Sequence, residues 1–444
     1  MSVLGTGGME TEAVTAKKRG RFFYGWLIVA IAFLGDFISA GIGAYAFGLF
    51  FKPMSEELGW TRAMTAGALT MRNLMGAVSS PIIGPLVDRK HGPRVLMTVG
   101  GLLGGLAIMG LSRVSALWHF YMAYGVLGAL GMIGLGGLVT NTVVAKWFIR
   151  KRGRAMAIAT MGISSGGLVL VPLTQWAISS FGWRTAWVVL GCLIWVVIVV
   201  PAALLIRRSP EDIGLRPDGD EIEVRDTGSA TPSIAVLEAE ALHAEEEVWT
   251  LRAAVKTPTL WLLVAVFNLG GMSIMVTHVH VVAYLTDEGY SSAVAAAAVT
   301  VFAFCAGISK LIWGLMAERM AVRYCVIGCY LLTVVGLAIL LNPRNVQMVF
   351  SYAVVFGLGI GGTAQLNPLT WANYFGRTFL GTIRGVLSPI NLLSNAGGPL
   401  LAGYLYDITG DYQLPFTILL SGALLAALLM FFAKPPKQDR LASG

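Results

Sequence analysis

Twelve runs of about 20 apolar residues recur along the chain, each long enough to cross a bilayer as an α-helix. They are centred near residues 37, 75, 103, 132, 167, 195, 271, 304, 333, 361, 394 and 424. In lipid every backbone N–H and C=O must find its partner inside the segment, which leaves the helix as the spanning element for runs of this length. Of the 444 residues, 56% are hydrophobic and 13% charged, where soluble domains carry about 25% charged. The expected fold is all-α, with twelve transmembrane helices embedded in a lipid bilayer. The polar N-terminus (MSVLGTGGMETEAVTAKKRGR) lacks the short apolar core and small-residue cleavage site of a removable leader, and reads as a cytosolic tail.

Basic residues give the orientation. Twenty-five of the 32 Lys and Arg residues fall in segments that share one side if the spans alternate, among them Lys17, Lys18, Arg89, Lys146, Arg154, Arg207, Arg319, Arg377 and Arg384. Five fall on the other side: Lys52, Arg62, Arg113, Arg184 and Arg344. Positive charge stays inside, so both termini are expected in the cytoplasm of a multi-pass plasma-membrane protein, a bacterial inner membrane being the natural setting. This bias accounts for the net charge of +8 without any nucleic-acid partner. Arg72 and Lys310 remain, inside apolar runs. Cys192, Cys305, Cys325 and Cys329 also sit in apolar runs, without the His or acidic neighbours of a metal site, and read as packing residues.

Residues 207–256 are polar, charged and seeded with Pro and Gly, as a cytosolic linker would be. Within them IAVLEAEALHAEEEVWTLRAAV could form an amphipathic surface helix, with Glu245, Glu246 and Glu247 on a solvated face. The flanking segments echo each other. GPLVDRKHGPR (84–94) returns as GLMAERMAVR at an offset of 230, and WFIRKRGRA as YFGRTFLGTIRG at 227. LGWTRA pairs with EGYSSA at 230, and FGWR with TGDYQ at 228. The chain therefore reads as a tail (1–22), a six-helix bundle (23–206), the linker (207–256), a second bundle (257–433) and a C-terminal tail (434–444). Duplicated bundles with cargo at their interface are a transporter plan.

Gly84, Asp88, Arg89, Gly92 and Arg94 resemble the G-x-x-x-D-R-x-G-x-R loop signature of the major facilitator superfamily. YGW (24–26), WFIRKRGRAMAIATMGISSGG (147–167), FGWR and YFGR…LGTIRG…GGPLLAGYLYD resemble its monocarboxylate-transporter and oxalate–formate-antiporter branch. The likeness spans residues 23–433. It implies two bundles that rock about a central site.

Asp88 with Arg89, and Glu318 with Arg319, stand at equivalent helix ends, where an acid and a guanidinium can bridge neighbouring helices; Arg94 and Arg323 belong to the same loops. Topology alone asks for no acid, so these six residues are read as a gate. Lys310 must face a wet cavity or a partner, since burying it costs about 2.5–3.5 kcal/mol. It stands four residues before Gly314, which opens the second loop motif. The resemblance puts a carboxylate-gripping cation there, although relatives commonly use Arg and precede it by an acid where this chain has Ala306. The alternative is a bond to a carbonyl near the helix end.

Asp36 and Arg72 lie near the middle of the first two runs, either as a structural ion pair or as a protonation site and its modulator. His278 and His280, on the seventh run, also titrate in the physiological range, with His280 read as a hydrogen-bonder first. Tyr45, Tyr124, Asn391 and Asn395 could wall the cavity, while Tyr121 reads as an interfacial residue. The absence of Lys and Arg from Gly385 to Tyr406 argues for a single carboxylate. GISSG (162–166) and GLGIGG (357–362) imitate a hydrolase elbow and a dinucleotide loop, but lie in apolar runs and mark helix packing.

The expected protein is thus a monomeric carrier of a small monocarboxylate such as lactate or pyruvate, moved with a proton. No cofactor, metal or enzymatic activity is expected. Carboxylate exchange, export of a larger hydrophobic compound and nutrient sensing are the other readings.

Overall fold

A computed structural model describes residues 23–219 and 248–436; a few side chains within these limits, Asn395 among them, lie outside the description. The proposed surface helix falls largely in 220–247 and so lies outside the described residues, save for a short helix Leu251–Val255. Among the described residues, nine helices are long and apolar enough to cross a membrane. One of these, Arg152–Leu205, is two spans joined at Gly182, whose φ of 79° breaks the helical backbone. Arg62–Asp88 and Leu380–Thr409 are long enough but more polar. Twelve spans result among the described residues, which are all-helical with no strand.

We label them α1 (Tyr24–Phe50), α2 (Arg62–Asp88), α3 (Gly92–Arg113), α4 (Leu117–Trp147), α5 (152–181) and α6 (183–205). The second set comprises α7 (Pro258–Asp287), α8 (Ser292–Met316), α9 (Val322–Leu340), α10 (Val346–Phe375), α11 (Leu380–Thr409) and α12 (Gln413–Phe432). Side-chain oxygens at Thr257, Ser291 and Asn345 cap α7, α8 and α10 by accepting from the N–H three residues on. Prolines interrupt α2 at 81 and 85 and α11 at 389 and 399, which frees helix carbonyls and permits bending.

Small residues let the spans approach closely. A methyl added at Gly162 of α5 would collide with the Phe33 carbonyl of α1. Between the two sets, α2 runs against α11 and α5 against α8. At one end these contacts are tight: a methyl on Gly84 would strike the Gly381 carbonyl, and one on Gly153 the Gly314 carbonyl. This is the end that carries Phe23, Trp147, Asp88, Thr382 and Ala433; we call it the basic end. Further along, Gly76 of α2, Gly307 of α8 and Gly397 of α11 face open space. The halves touch at the basic end and stand apart beyond the midplane.

The linker begins with structure. Residues 210–213 and 217–219 form helical turns packed under the first bundle.

These contacts set an expectation for stability. Gly162→Ala overpacks α1 against α5 and should cost about 1–3 kcal/mol, lowering the melting temperature of the detergent-solubilised protein. Gly307→Ala meets nothing and gains helix propensity, so its melting temperature should hold or rise. Equal melting temperatures for the two variants would contradict the packing described.

Candidate functional site

A cavity of about 450 Å3 lies between the halves, lined from the first by Ser39, Arg72, Asn73, Ser80 and Gly137, and from the second by Met275, Ser388 and Asn391. Polar groups on an otherwise apolar wall suit a small amphipathic ligand. Of the residues expected there, Arg72 and Asn391 line it. Tyr45 and Tyr124 do not. Tyr124 is buried and its hydroxyl donates to the Gly43 carbonyl at 2.8 Å, holding the π-helical stretch 41–45 of α1. Tyr45 covers Gly167 of α5, and Tyr121 donates to the Met64 carbonyl at 2.9 Å. The side chain of Asn395 lies outside the described residues.

Asp36 and Arg72 do not pair. The Arg72 guanidinium donates to the Gly43 carbonyl and lies 5.7 Å from the Tyr124 ring centre, a cation–π arrangement. Asp36 is 2% exposed and accepts from the Thr140 hydroxyl at 2.9 Å through Oδ1. Its Oδ2 has no hydrogen-bond partner. Instead of Arg72, the cations within electrostatic reach of Asp36 are Lys310 and Arg384. Consecutive helices gave Asp36 and Arg72 similar depth, but they point to different neighbours.

Lys310 is 4% exposed. Its ammonium donates to the Thr160 carbonyl and the Ser164 hydroxyl of α5, both at 3.0 Å. The carbonyl bond expected as an alternative is present, but it reaches across to the opposite half. Lys310 turns inward, away from lipid, yet does not line the open cavity. Arg384 departs from its expected place in a basic loop: it lies in α11, and Nη1 donates to the Gly137 carbonyl of α4 at 3.1 Å. Asp36, Thr140 and Arg384 each stand about one helical turn from a cavity-lining residue, namely Ser39, Gly137 and Ser388. Together with Lys310 they form a charged layer beneath the cavity, in which Asp36 and Lys310 are buried and Arg384 is half-buried.

Below this layer the basic end is shut by the two loop acids. Asp88 accepts from the ammonium of Lys146 at 2.7 Å, from Thr382 N and Oγ1 at 2.8 Å each, and from Gly381 N at 3.3 Å. It therefore caps the N-terminus of α11 from the opposite half. Glu318 does the same to α5: it accepts from Arg154 N at 2.9 Å and holds the Arg154 guanidinium through both oxygens, down to 2.6 Å. An acid at a helix start meets unsatisfied N–H groups and a favourable dipole. Hydrogen bonds to a charged group are worth about 1.5–3 kcal/mol each, less for Arg154, which is 44% exposed.

The acids were expected to work with the arginines beside them. Arg89, Arg94 and Arg319 are exposed, and Arg323 stacks on Tyr324. The partners are Lys146 at the end of α4 and Arg154 in the first turn of α5, 58 and 164 residues away, which the sequence offered only as topology anchors. Arg152 adds a further tie across the halves, donating to Asn373 Oδ1 at 2.9 Å.

His280 is remote from the cavity. Nε2 faces the Pro399 carbonyl at 3.0 Å, which can only accept, so Nδ1 accepts from the Tyr412 hydroxyl at 3.2 Å. It joins α7 to α11 and α12 as the hydrogen-bonder read first. His278 packs edge-on against Phe302.

The Major Facilitator Superfamily profile matches residues 25–298 and 279–444. Among relatives, monocarboxylate transporter 12 of Rattus norvegicus is 25% identical over 433 residues, covering 94% of this chain and 86% of its own. Monocarboxylate transporter 11 of Homo sapiens is 26% identical over 419 residues, covering 90% and 81%. In three dimensions the chain matches the proton:xylose symporter XylE bound to 6-bromo-6-deoxy-D-glucose, with a TM-score of 0.72 at 12% identity over 93% of this chain and 96% of that one. The chain belongs to the major facilitator superfamily as a monocarboxylate-transporter-like member, a multi-pass membrane transporter and not an enzyme.

Proposed function

We propose that the protein carries a small monocarboxylate, of the lactate or pyruvate kind, together with a proton. The observation that carries this reading is the charged layer: two cations, Lys310 and Arg384, share one buried carboxylate, Asp36, that keeps an oxygen unbonded. With Asp36 ionised the layer holds a net charge of +1, which one carboxylate neutralises. Adding a proton to Asp36 at the same time restores +1. Empty and fully loaded layers then carry the same charge, so neither imposes an extra desolvation cost when the halves rock.

Arg72, on the cavity wall, meets the anion first. Asn391, Ser80 and Ser388 offer it hydrogen bonds, and the apolar wall accepts an aliphatic tail. Passage to Lys310 requires the bonds to Thr160 and Ser164 to loosen, which couples cargo binding to movement of α5 against α8. The basic end faces the cytoplasm in this reading, on the positive-inside bias, so the structure corresponds to an outward-facing carrier with Asp88 and Glu318 as its closed gate. It acts as a monomer, since both halves of the site come from one chain.

A second reading is favoured by Arg384, which adds a helix-11 cation where one was not expected. If Asp36 stayed protonated, Lys310 and Arg384 could hold two carboxylates, and the protein would exchange anions.

Proteoliposomes distinguish these. Acidifying the outside should make vesicles loaded only with buffer accumulate labelled lactate. Uptake that ignores the pH gradient but requires a carboxylate inside would establish exchange instead.

Two substitutions probe the roles separately. Lys310→Gln should abolish lactate binding, and binding at the parent affinity would remove Lys310 from the site. Asp36→Asn should leave lactate counterflow largely intact while abolishing pH-driven accumulation; loss of both alongside a large drop in melting temperature would make Asp36 purely structural.

A further inference from the structure

The chain that leaves α6 does more than connect. Asp218 has φ 60°, the only positive φ at a non-glycine residue among those described, a conformation that residues with a side chain rarely adopt. What it gains is a nest of three successive backbone N–H groups in the turn between α4 and α5. Ile149 N donates at 3.0 Å and Arg150 N at 2.9 Å to Oδ2, and Lys151 N donates at 3.0 Å to Oδ1. The residue is 4% exposed. Such a nest is an anion site at the start of a helix, here filled by the protein's own carboxylate.

The turn so held is the base from which the ties across the halves depart. One residue beyond it Arg152 reaches Asn373, and three beyond it Arg154 enters the Glu318 carboxylate. The same stretch makes its own tie: Glu211 pairs with Arg377 of the second half at 2.8 Å. Arg377 in turn donates to the Lys146 carbonyl at 2.8 Å, at the residue whose ammonium meets Asp88. Arg152 and Arg154 therefore stand next to a turn that Asp218 holds, and Lys146 is linked to Glu211 through Arg377.

We infer that residues 209–219 are a clasp that holds the carrier shut at the basic end, with Asp218 as its positioning residue. The clasp moves with the first bundle, and its ties to the second half, Glu211–Arg377 and the Arg377 bond to the Lys146 carbonyl, break with the gate bonds when the halves rock. It acts on conformation and does not depend on which cargo is carried.

A reporter cysteine at Ala396, which lines the cavity, reads the conformation without substrate or activity. With Cys192 and Cys305 replaced by Ser, the detergent-purified protein is labelled with a polar maleimide. Asp218→Gly keeps a residue at ease with positive φ but removes the carboxylate. It should slow labelling at Ala396→Cys several-fold, because the population shifts away from the form closed at the basic end. A folded Asp218→Gly variant that labels at the parent rate would overturn the clasp, even if its melting temperature had fallen, since a merely structural role moves only the latter. Should Asp218→Gly fail gel filtration, Glu211→Gln decides: a smaller slowing supports the clasp, and an unchanged rate overturns it.

Discussion

Three ionisable groups, Asp36 and Lys310 buried and Arg384 half-buried, lie between the bundles, and an apolar interior tolerates charge only where it is matched. Asp36 satisfies one oxygen on Thr140 and relies for the rest on the fields of Lys310 and Arg384. Lys310 turns two of its protons onto α5. The layer is held by groups from both halves, so its matching depends on how the halves sit. Any ligand that alters its charge therefore alters the balance between conformations, which is the physical requirement for coupling cargo to movement.

The basic end follows a related design in duplicate. Asp88 at the end of α2 caps α11, and Glu318 from the α8–α9 loop caps α5. Each acid belongs to one half and each capped helix to the other, so both contacts break together when the halves part. Glycines at 84, 153, 314 and 381 let the backbones come close enough for the caps to reach. The duplication is not complete: Asp88 is buried and joined by the buried Lys146, whereas Arg154 is 44% exposed, so the Asp88 side is the firmer tie.

Much of this was legible beforehand. Apolar length gave the twelve spans, and the offset repeats exposed the two halves and the paired acids. The more polar spans, α2 and α11, fall short on hydropathy because they carry what lines the cavity and the gate: Arg72, Asn73 and Ser80 on one, Arg384, Ser388 and Asn391 on the other. Partners were another matter. Lys146, Arg154 and Arg384 near helix ends look like topology anchors, and nothing local distinguishes one that folds inward onto a partner 58 to 247 residues away. Asp36 and Arg72 shared a depth, but depth does not fix the angle around a helix. Asp218 lies in a stretch legible only as linker, and its three N–H partners lie 67 to 69 positions away.

The most direct test of the charged layer is a count of protons. Calorimetric titration of lactate in buffers of different ionisation enthalpy gives the number taken up for each anion bound. Uptake approaching one proton per lactate, lost in Asp36→Asn, is the expected result. Lactate binding with no proton uptake across the neutral range would contradict an account in which cargo and proton together leave the buried charge unchanged.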